Sequence, residues 1–587
     1  MKWSVMMFEG WTRGLLGLVV AGALLLTGCK ESEPEADLVF IEAAAHRTLD
    51  PQSMSWNHDI RIASTVFEPL VRMDFVKGDV EPAAAASWAV SEDGLTYTFS
   101  LREGIRWSNG DPVLASDFVF AWRRALLPDT AAQYAELMYC IEGAADFYAW
   151  RTEQVGAYAE AGAATEEAAQ RSLEEAFARF EEVVGVRAVD EVTLEVRLER
   201  PTPYFLQMVG FATFLPVHPA SVVADTRLNA ETGFWKTETS YWSDPTRLVS
   251  NGPFTIEKRV FKQYLRLRKN PMYWDAGRIR LNSILEKIVE DPGTGFMMYH
   301  QGEADLSFGI PSQGTLATEL LASDRGDVHS MVAAGTYFYN FNCLPTRPDG
   351  SVNPLADVRV RRALSMAIDR EQLVSRVNRV GQPVARSFVP PGAVPGYEPP
   401  VESGVVYDPS AARELLKEAG YEGGEGLDGL SILYNTGGGH EDVAIAVKSM
   451  WERELGVVVT TEGVEVRTFG DRVRKQDYSI ARAAWFGDYV DPTTWLDKHR
   501  STNGNNDAKW NSAAFDALLD EAALIRDPAE RFAKLAEAEA LHNYEQPIAP
   551  VYHYVTIYLF DPEKVKGVSL NTWARWRFDR MWVERDR

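Results

Sequence analysis

The sequence predicts a mixed α/β protein of two or three domains. Strand-like and helix-like stretches alternate along it with no repeat of fixed period, the pattern of sheets packed with helices. Its 587 residues are too many for one hydrophobic core. The hydrophobic content of 46% and charged content of 25% are those of an ordinary globular protein. A net charge of -24 and a pI of about 4.9 would repel phosphates, which disfavours a nucleic-acid partner. Seventeen Trp and 22 Tyr serve equally for cores and for pockets that grip apolar matter while hydrogen-bonding.

Taken in order, residues 1–28 read as a targeting segment. Lys2 and Arg13 carry positive charge, and the apolar run 15–26 is too short to span a bilayer. Leu26-Thr27-Gly28-Cys29 resembles the bacterial lipobox, which implies cleavage before Cys29 and lipidation of it. Glu9 is unusual in such a leader, and Met6 and Met7 stand as alternative starts. The only other cysteines, Cys140 and Cys343, have no metal-type spacing and read as buried thiols. The polar stretch 29–37 is a tether. A strand follows at 38–41, then a helix ending near Phe67, an alternating strand over 95–101 and a helix over 115–124. The Ala/Glu-rich stretch 141–184 predicts one or two solvated helices. Strands are expected at 192–198 and 264–268. A second α/β region begins near Tyr337, with a helix over 358–368 capped by Asp357 and another over 409–419 capped by Asp408 and stopped by Gly420. The strand 430–434 follows.

The most informative stretch is 479–495. Residues 480–485 read as a buried strand interrupted by Arg482, and Asp491-Pro492 opens a helix, with Asp491 as its cap. Asp488 is left without a capping role in the loop beyond the strand's C-terminal end, where ligands of open α/β sheets tend to bind. Arg482 and Asp488 lie at most ~20 Å apart, room for an extended tri- or tetrapeptide. The acid would meet a ligand ammonium and the guanidinium a ligand carboxylate. A surface Asp and an Arg in a structural ion pair would read the same way.

Several motifs in order carry a more specific resemblance: Gly110-Asp111-Pro112 through Asp117-Phe118, Asn251-Gly252-Pro253-Phe254, Asn270-Pro271-Met272-Tyr273-Trp274-Asp275, Gly302-Glu303-Ala304-Asp305, Asp357 through Leu364, and 482–492. From Leu38 onward the chain resembles the family 5 extracellular solute-binding proteins of ABC importers, in their oligopeptide-binding branch. The resemblance implies a type II periplasmic-binding-protein-like fold of three domains in two lobes about a hinge. Lobe I would comprise 38–67, 219–335 and 556–587, a smaller domain 68–218 with the insertion 141–184, and lobe II 336–555. It implies that Asp488 binds a peptide's α-ammonium, Arg482 its carboxylate, and His440 the carboxylate of longer peptides, with Trp485, Phe486 and Gly487 beside them. A Lys of the family aligns with Asn378, next to Arg379, an acidic residue with Ser55 and a pocket Trp with Val466; these departures bear on peptide length and side-chain preference. Backbone pairing with termini held by charge suits a receptor of broad specificity.

Gly424-Glu425-Gly426-Leu427-Asp428-Gly429 fits GxGxxG literally but follows a helix and precedes a strand, the reverse of the dinucleotide-binding order. Asp488 and Asp491 could be a hydrolase pair, but capping accounts for Asp491. The expectation is a monomeric, lipid-anchored envelope receptor, not an enzyme and without a cofactor, that hands short peptides to ABC permease and ATPase subunits. Rival readings are a family member for nickel, haem or an opine, which the Asp488–Arg482 pair disfavours, and a peptide-sensing or chaperone-like lipoprotein without transport, which neighbouring permease genes would exclude.

Overall fold

The computed structural model describes residues 35–162, 165–310, 314–347 and 349–585. The targeting segment and Cys29 lie outside the described residues. The alternation seen in the sequence builds one ten-stranded mixed sheet. Its strands are β1 (Leu38–Glu42), β2 (Phe254–Val260), β3 (Tyr264–Lys269), β4 (Ser283–Ile288), β5 (Leu306–Ile310), β6 (Val328–Phe341), β7 (Ser431–Asn435), β8 (Thr460–Val464), β9 (Ile480–Phe486) and β10 (Ile548–Phe560), in the order β2-β3-β4-β1-β5-β10-β6-β9-β7-β8. The long antiparallel strands β6 and β10 join its two halves, and their ladder breaks between Val332 and Thr336. A largely apolar core on one side draws on 38–306 and the C-terminal return. Two further clusters pack on the two faces of β6 and β9. The molecule is a two-lobed α/β fold.

A separate antiparallel sheet of Ala85–Val90, Thr96–Leu101, Thr193–Arg197 and Val186–Ala188 carries the helix Ala115–Leu126. The Ala/Glu-rich stretch forms two helices, Ala144–Ala161 and Glu166–Val183. They are stapled by Arg151, which is fully buried, pairs with Asp129 at 2.9 Å and donates to Ser172 Oγ and Gly233 O.

The recurrent motifs are mostly scaffolding. Asp117 accepts the Leu114 amide and the Trp107 indole, closing the first turn of its helix. Asn251 exchanges hydrogen bonds with the Glu68 backbone, and Tyr273 and Trp274 donate to the Glu68 carboxylate. Gly252 is required because a Cβ there would lie 2.5 Å from the Val66 carbonyl carbon. Asp305 accepts the Val39 amide and pairs with Lys564 at 2.8 Å. Asp357 and Asp408 cap their helices as expected, accepting from Arg359 N and Ala411 N. The GxGxxG-like stretch lies between the helix Pro409–Glu418 and β7, as a turn and loop.

Candidate functional site

β9 lies between β6 and β7. Its register places Arg482 opposite Tyr339, Ala484 opposite Tyr337 and Phe486 opposite Gly335. Side chains alternate along a strand, so Arg482 and Phe486 share one face and Trp485 points to the other. On the first face Arg482 donates through Nη2 to the Tyr554 hydroxyl at 3.0 Å and through Nη1 to Asn435 Oδ1 at 3.3 Å. Its guanidinium carbon sits 5.2 Å from the centre of the Tyr337 ring. Its Nε has no partner, and among the described residues no carboxylate comes within 4.0 Å of it. His440 opens the helix His440–Leu455 after three glycines in the left-handed region and is buried, with its ring 5.7 Å from that of Tyr337. Burial, and secondarily the nearby Arg482 charge, push its pKa down to about 4. A guanidinium and a neutral imidazole whose Nδ1 has no partner among the described residues therefore adjoin. Such a cluster suits an incoming carboxylate. Phe486 is 42% exposed and its ring lies 4.9 Å from that of Tyr554.

Beyond the strand the chain turns through Gly487, whose amide donates to Ala334 O at 2.9 Å. A Cβ on Gly487 would lie 2.6 Å from the rings of both Trp495 and Trp573, so only glycine fits. This positions Asp488, whose own amide donates to Thr494 Oγ1. The two neighbouring acids then part in role. Asp491 accepts from Thr493 N and Oγ1 and forms a buried two-pronged pair with Arg531, with contacts of 2.6 and 2.8 Å. The helix it opens is a single turn, Thr493–Leu496. Asp488 has no cation within 4.0 Å among the described residues. Burial lifts its carboxyl to about 6, opposed by the Tyr134 hydroxyl and Arg575.

Asp488 and Trp485 line a cavity of about 570 Å³ that faces Tyr134, Tyr204, Tyr489 and Lys498. Trp485 is held by its indole N–H on Thr494 O at 2.6 Å and by Lys498 Nζ 4.9 Å above its ring. Arg482 and His440 do not line this cavity. The structure thus brings together Asp488 with Trp485, and Arg482 with His440, at the two ends of β9. Of the positions where the resemblance departs, Ser55 lines the cavity, Asn378 is buried with an unpartnered Nδ2, and Arg379 and Val466 are exposed. Tyr134, Tyr204 and Arg575 were not legible as site residues, because nothing in their local sequence places them near Asp488.

Among the described residues, a carboxylate with no cation within 4.0 Å beside a cavity, and a guanidinium–imidazole cluster with no carboxylate within 4.0 Å of the guanidinium towards the other end of the same strand, suit a binding protein for a small charged solute. Residues 79–507 match the family of bacterial extracellular solute-binding proteins, family 5, and the chain belongs to that family. It is 34% identical to the oligopeptide-binding protein OppA of Bacillus subtilis, over 86% of this chain and 85% of that one. It is 32% identical to a probable deoxycholate-binding periplasmic protein, YgiS, of Escherichia coli, over 94% and 95%. The solved structure of the Escherichia coli murein tripeptide binding protein MppA superposes with a TM-score of 0.72 at 29% identity, covering 94% of this chain and 99% of that one.

Proposed function

We propose that the protein captures short peptides by their charged ends and delivers them to an ABC importer. The observation that carries this reading is Asp488: an ionisable carboxylate held at a cavity with no cation in salt-bridge reach among the described residues. A buried ion is tolerable only if it is paired, and a ligand α-ammonium supplies the charge. Arg482 and His440, with Trp485, Phe486 and Gly487 shaping the strand between, would receive the carboxylate end. The names of OppA and MppA agree with a peptide ligand. YgiS favours a second reading, an amphipathic anion that uses Arg482 and His440 alone.

The domain scheme that goes with this function assigns 38–67, 219–335 and 556–587 to lobe I, 68–218 to a smaller domain and 336–555 to lobe II. A monomer held in the envelope by lipid on Cys29 would present the loaded cleft to permease and ATPase subunits. No helix among the described residues is long and apolar enough to cross a membrane. Native mass spectrometry of the purified protein with its co-purified ligand tests the reading: peptide masses are expected, and a bile-acid mass would overturn it. Cys29→Ser is expected to release the protein from the membrane fraction; a wild type that never takes up labelled fatty acid would remove the anchor.

A further inference from the structure

A second, smaller cavity of about 60 Å³ adjoins Asp488 on the side of the C-terminal return. Four arginines line it: Arg61, Arg72, Arg575 and Arg577. Three have a carboxylate of their own, Arg61 on Glu42, Arg72 on Glu68, and Arg577 on Asp579 at 2.6 Å. Arg575 is the exception. Among the described residues no carboxylate comes within 4.0 Å of its guanidinium, and none of its side-chain nitrogens makes a hydrogen bond. Burial first, and then the neighbouring Arg61 charge, push its pKa down to about 10, with Tyr134 and Asp488 opposing. The Gln207 side chain in the same cavity has an Oε1 without a partner among the described residues. At roughly 15 Å³ per water-sized probe, this space admits about four non-hydrogen atoms, the size of a carboxylate on one or two methylenes.

We propose that Arg575 is a specificity-determining residue: it receives a side-chain carboxylate on the first residue of the ligand, so that peptides beginning with Asp or Glu are favoured. This rests on the peptide reading above. With the α-ammonium on Asp488, the first side chain is the one tethered close enough to enter a cavity that Asp488 itself lines. Its carboxylate completes the set of arginine–carboxylate pairs and is held by charge-assisted hydrogen bonds. It also lies beside the ammonium of its own residue, which offsets the Asp488 charge nearby.

The test is calorimetry with Glu-Ala-Ala, Gln-Ala-Ala and Ala-Glu-Ala. The wild type is expected to bind Glu-Ala-Ala at least tenfold more tightly than either of the others. Arg575→Met keeps the aliphatic stem and is expected to abolish that preference, so that within the variant Glu-Ala-Ala and Gln-Ala-Ala bind equally; Arg575→Lys should restore part of it. Equal wild-type affinities for Glu-Ala-Ala and Gln-Ala-Ala would overturn the proposal and leave the peptide reading standing, even if the variants fail to fold. Equal weakening of all three peptides in Arg575→Met would also overturn it, since Arg575 would then merely support Asp488. A preference for Ala-Glu-Ala would refute the assignment to the first residue. If no tripeptide binds the wild type, the peptide reading itself fails and the proposal with it.

Discussion

On the proposed reading, the charge of one side chain, Asp488, decides affinity for a peptide. Removing that charge leaves a ligand ammonium buried without a partner, so Asp488→Asn is expected to cost about 2–5 kcal/mol, roughly 30- to several-thousand-fold in affinity. N-acetylating the peptide should cost the wild type a similar amount. A double-mutant cycle by calorimetry should show coupling of about 1 kcal/mol or more between the two changes; additive losses would mean that Asp488 only shapes its loop. The pH dependence follows from the same group. Its folded pKa of about 6 lies above the ordinary ~3.9 of an Asp, so its contribution to stability is present below about 4 and is lost as pH rises through 6. On the proposed reading ligand binding needs the ionised form, and affinity should therefore run the other way, falling about tenfold per pH unit below 6. Titrations at pH 5 and 7 read this, and Asp488→Asn should flatten it.

At the scale of elements, the helices Ala144–Ala161 and Glu166–Val183 meet through the Phe147–Phe180 ring contact and through Arg151, whose buried ion pair with Asp129 ties them to the preceding turn. Both helices are rich in Ala and the second also in Glu, and such exposed helices gain most of their stability from packing rather than propensity. Arg151 supplies that link, joining Asp129 to Ser172 and Gly233. Arg151→Met should leave the Asp129 charge buried and unpaired, destabilising the protein by about 3–5 kcal/mol. Chemical denaturation would measure it, and a loss below about 1 kcal/mol would count against a structural role for the pair. Peptide affinity at saturating folded fraction should be unchanged, since Arg151 does not line the cavity at Asp488.

For the whole molecule, β6 and β10 are the shared spine, and their ladder is broken close to the point where Gly487 meets Ala334. Tyr204 reaches across the cavity, donating to Asp497 at 3.1 Å and stacking on Tyr489 at 5.1 Å. A clamp that binds ligand in its closed state should contract and gain thermal stability when loaded. Small-angle scattering with a mixture of di- to pentapeptides is expected to show a smaller radius of gyration. Ligand at 100 times Kd is expected to add about 2.7 kcal/mol of stability. An unchanged radius with no shift in Tm would refute hinge closure.

The strands at 38–42, 96–101, 193–197, 264–269 and 431–435, the caps Asp357 and Asp408, the break at Gly420 and the position of Asp488 just past a strand were legible in the sequence, whereas the spine strands β6 and β10 were not, and the strand before Asp488 is buried only at Ile480 and Ala481. The legible features depend on residues a few positions apart, through side-chain period and local hydrogen bonds. The motifs that carried the resemblance were legible too, although most of them turn out to brace the scaffold, as Asn251 and Asp305 do. What only the tertiary structure decided is which distant groups meet. Register against β6 puts Arg482 beside Tyr337 and close to His440, and Trp485 on the opposite face. Tyr134 and Arg575 reach Asp488 from opposite ends of the chain. No local pattern encodes those encounters, because they arise from the long-range pairing of strands and from three arginines of one cavity finding carboxylates while the fourth finds none among the described residues.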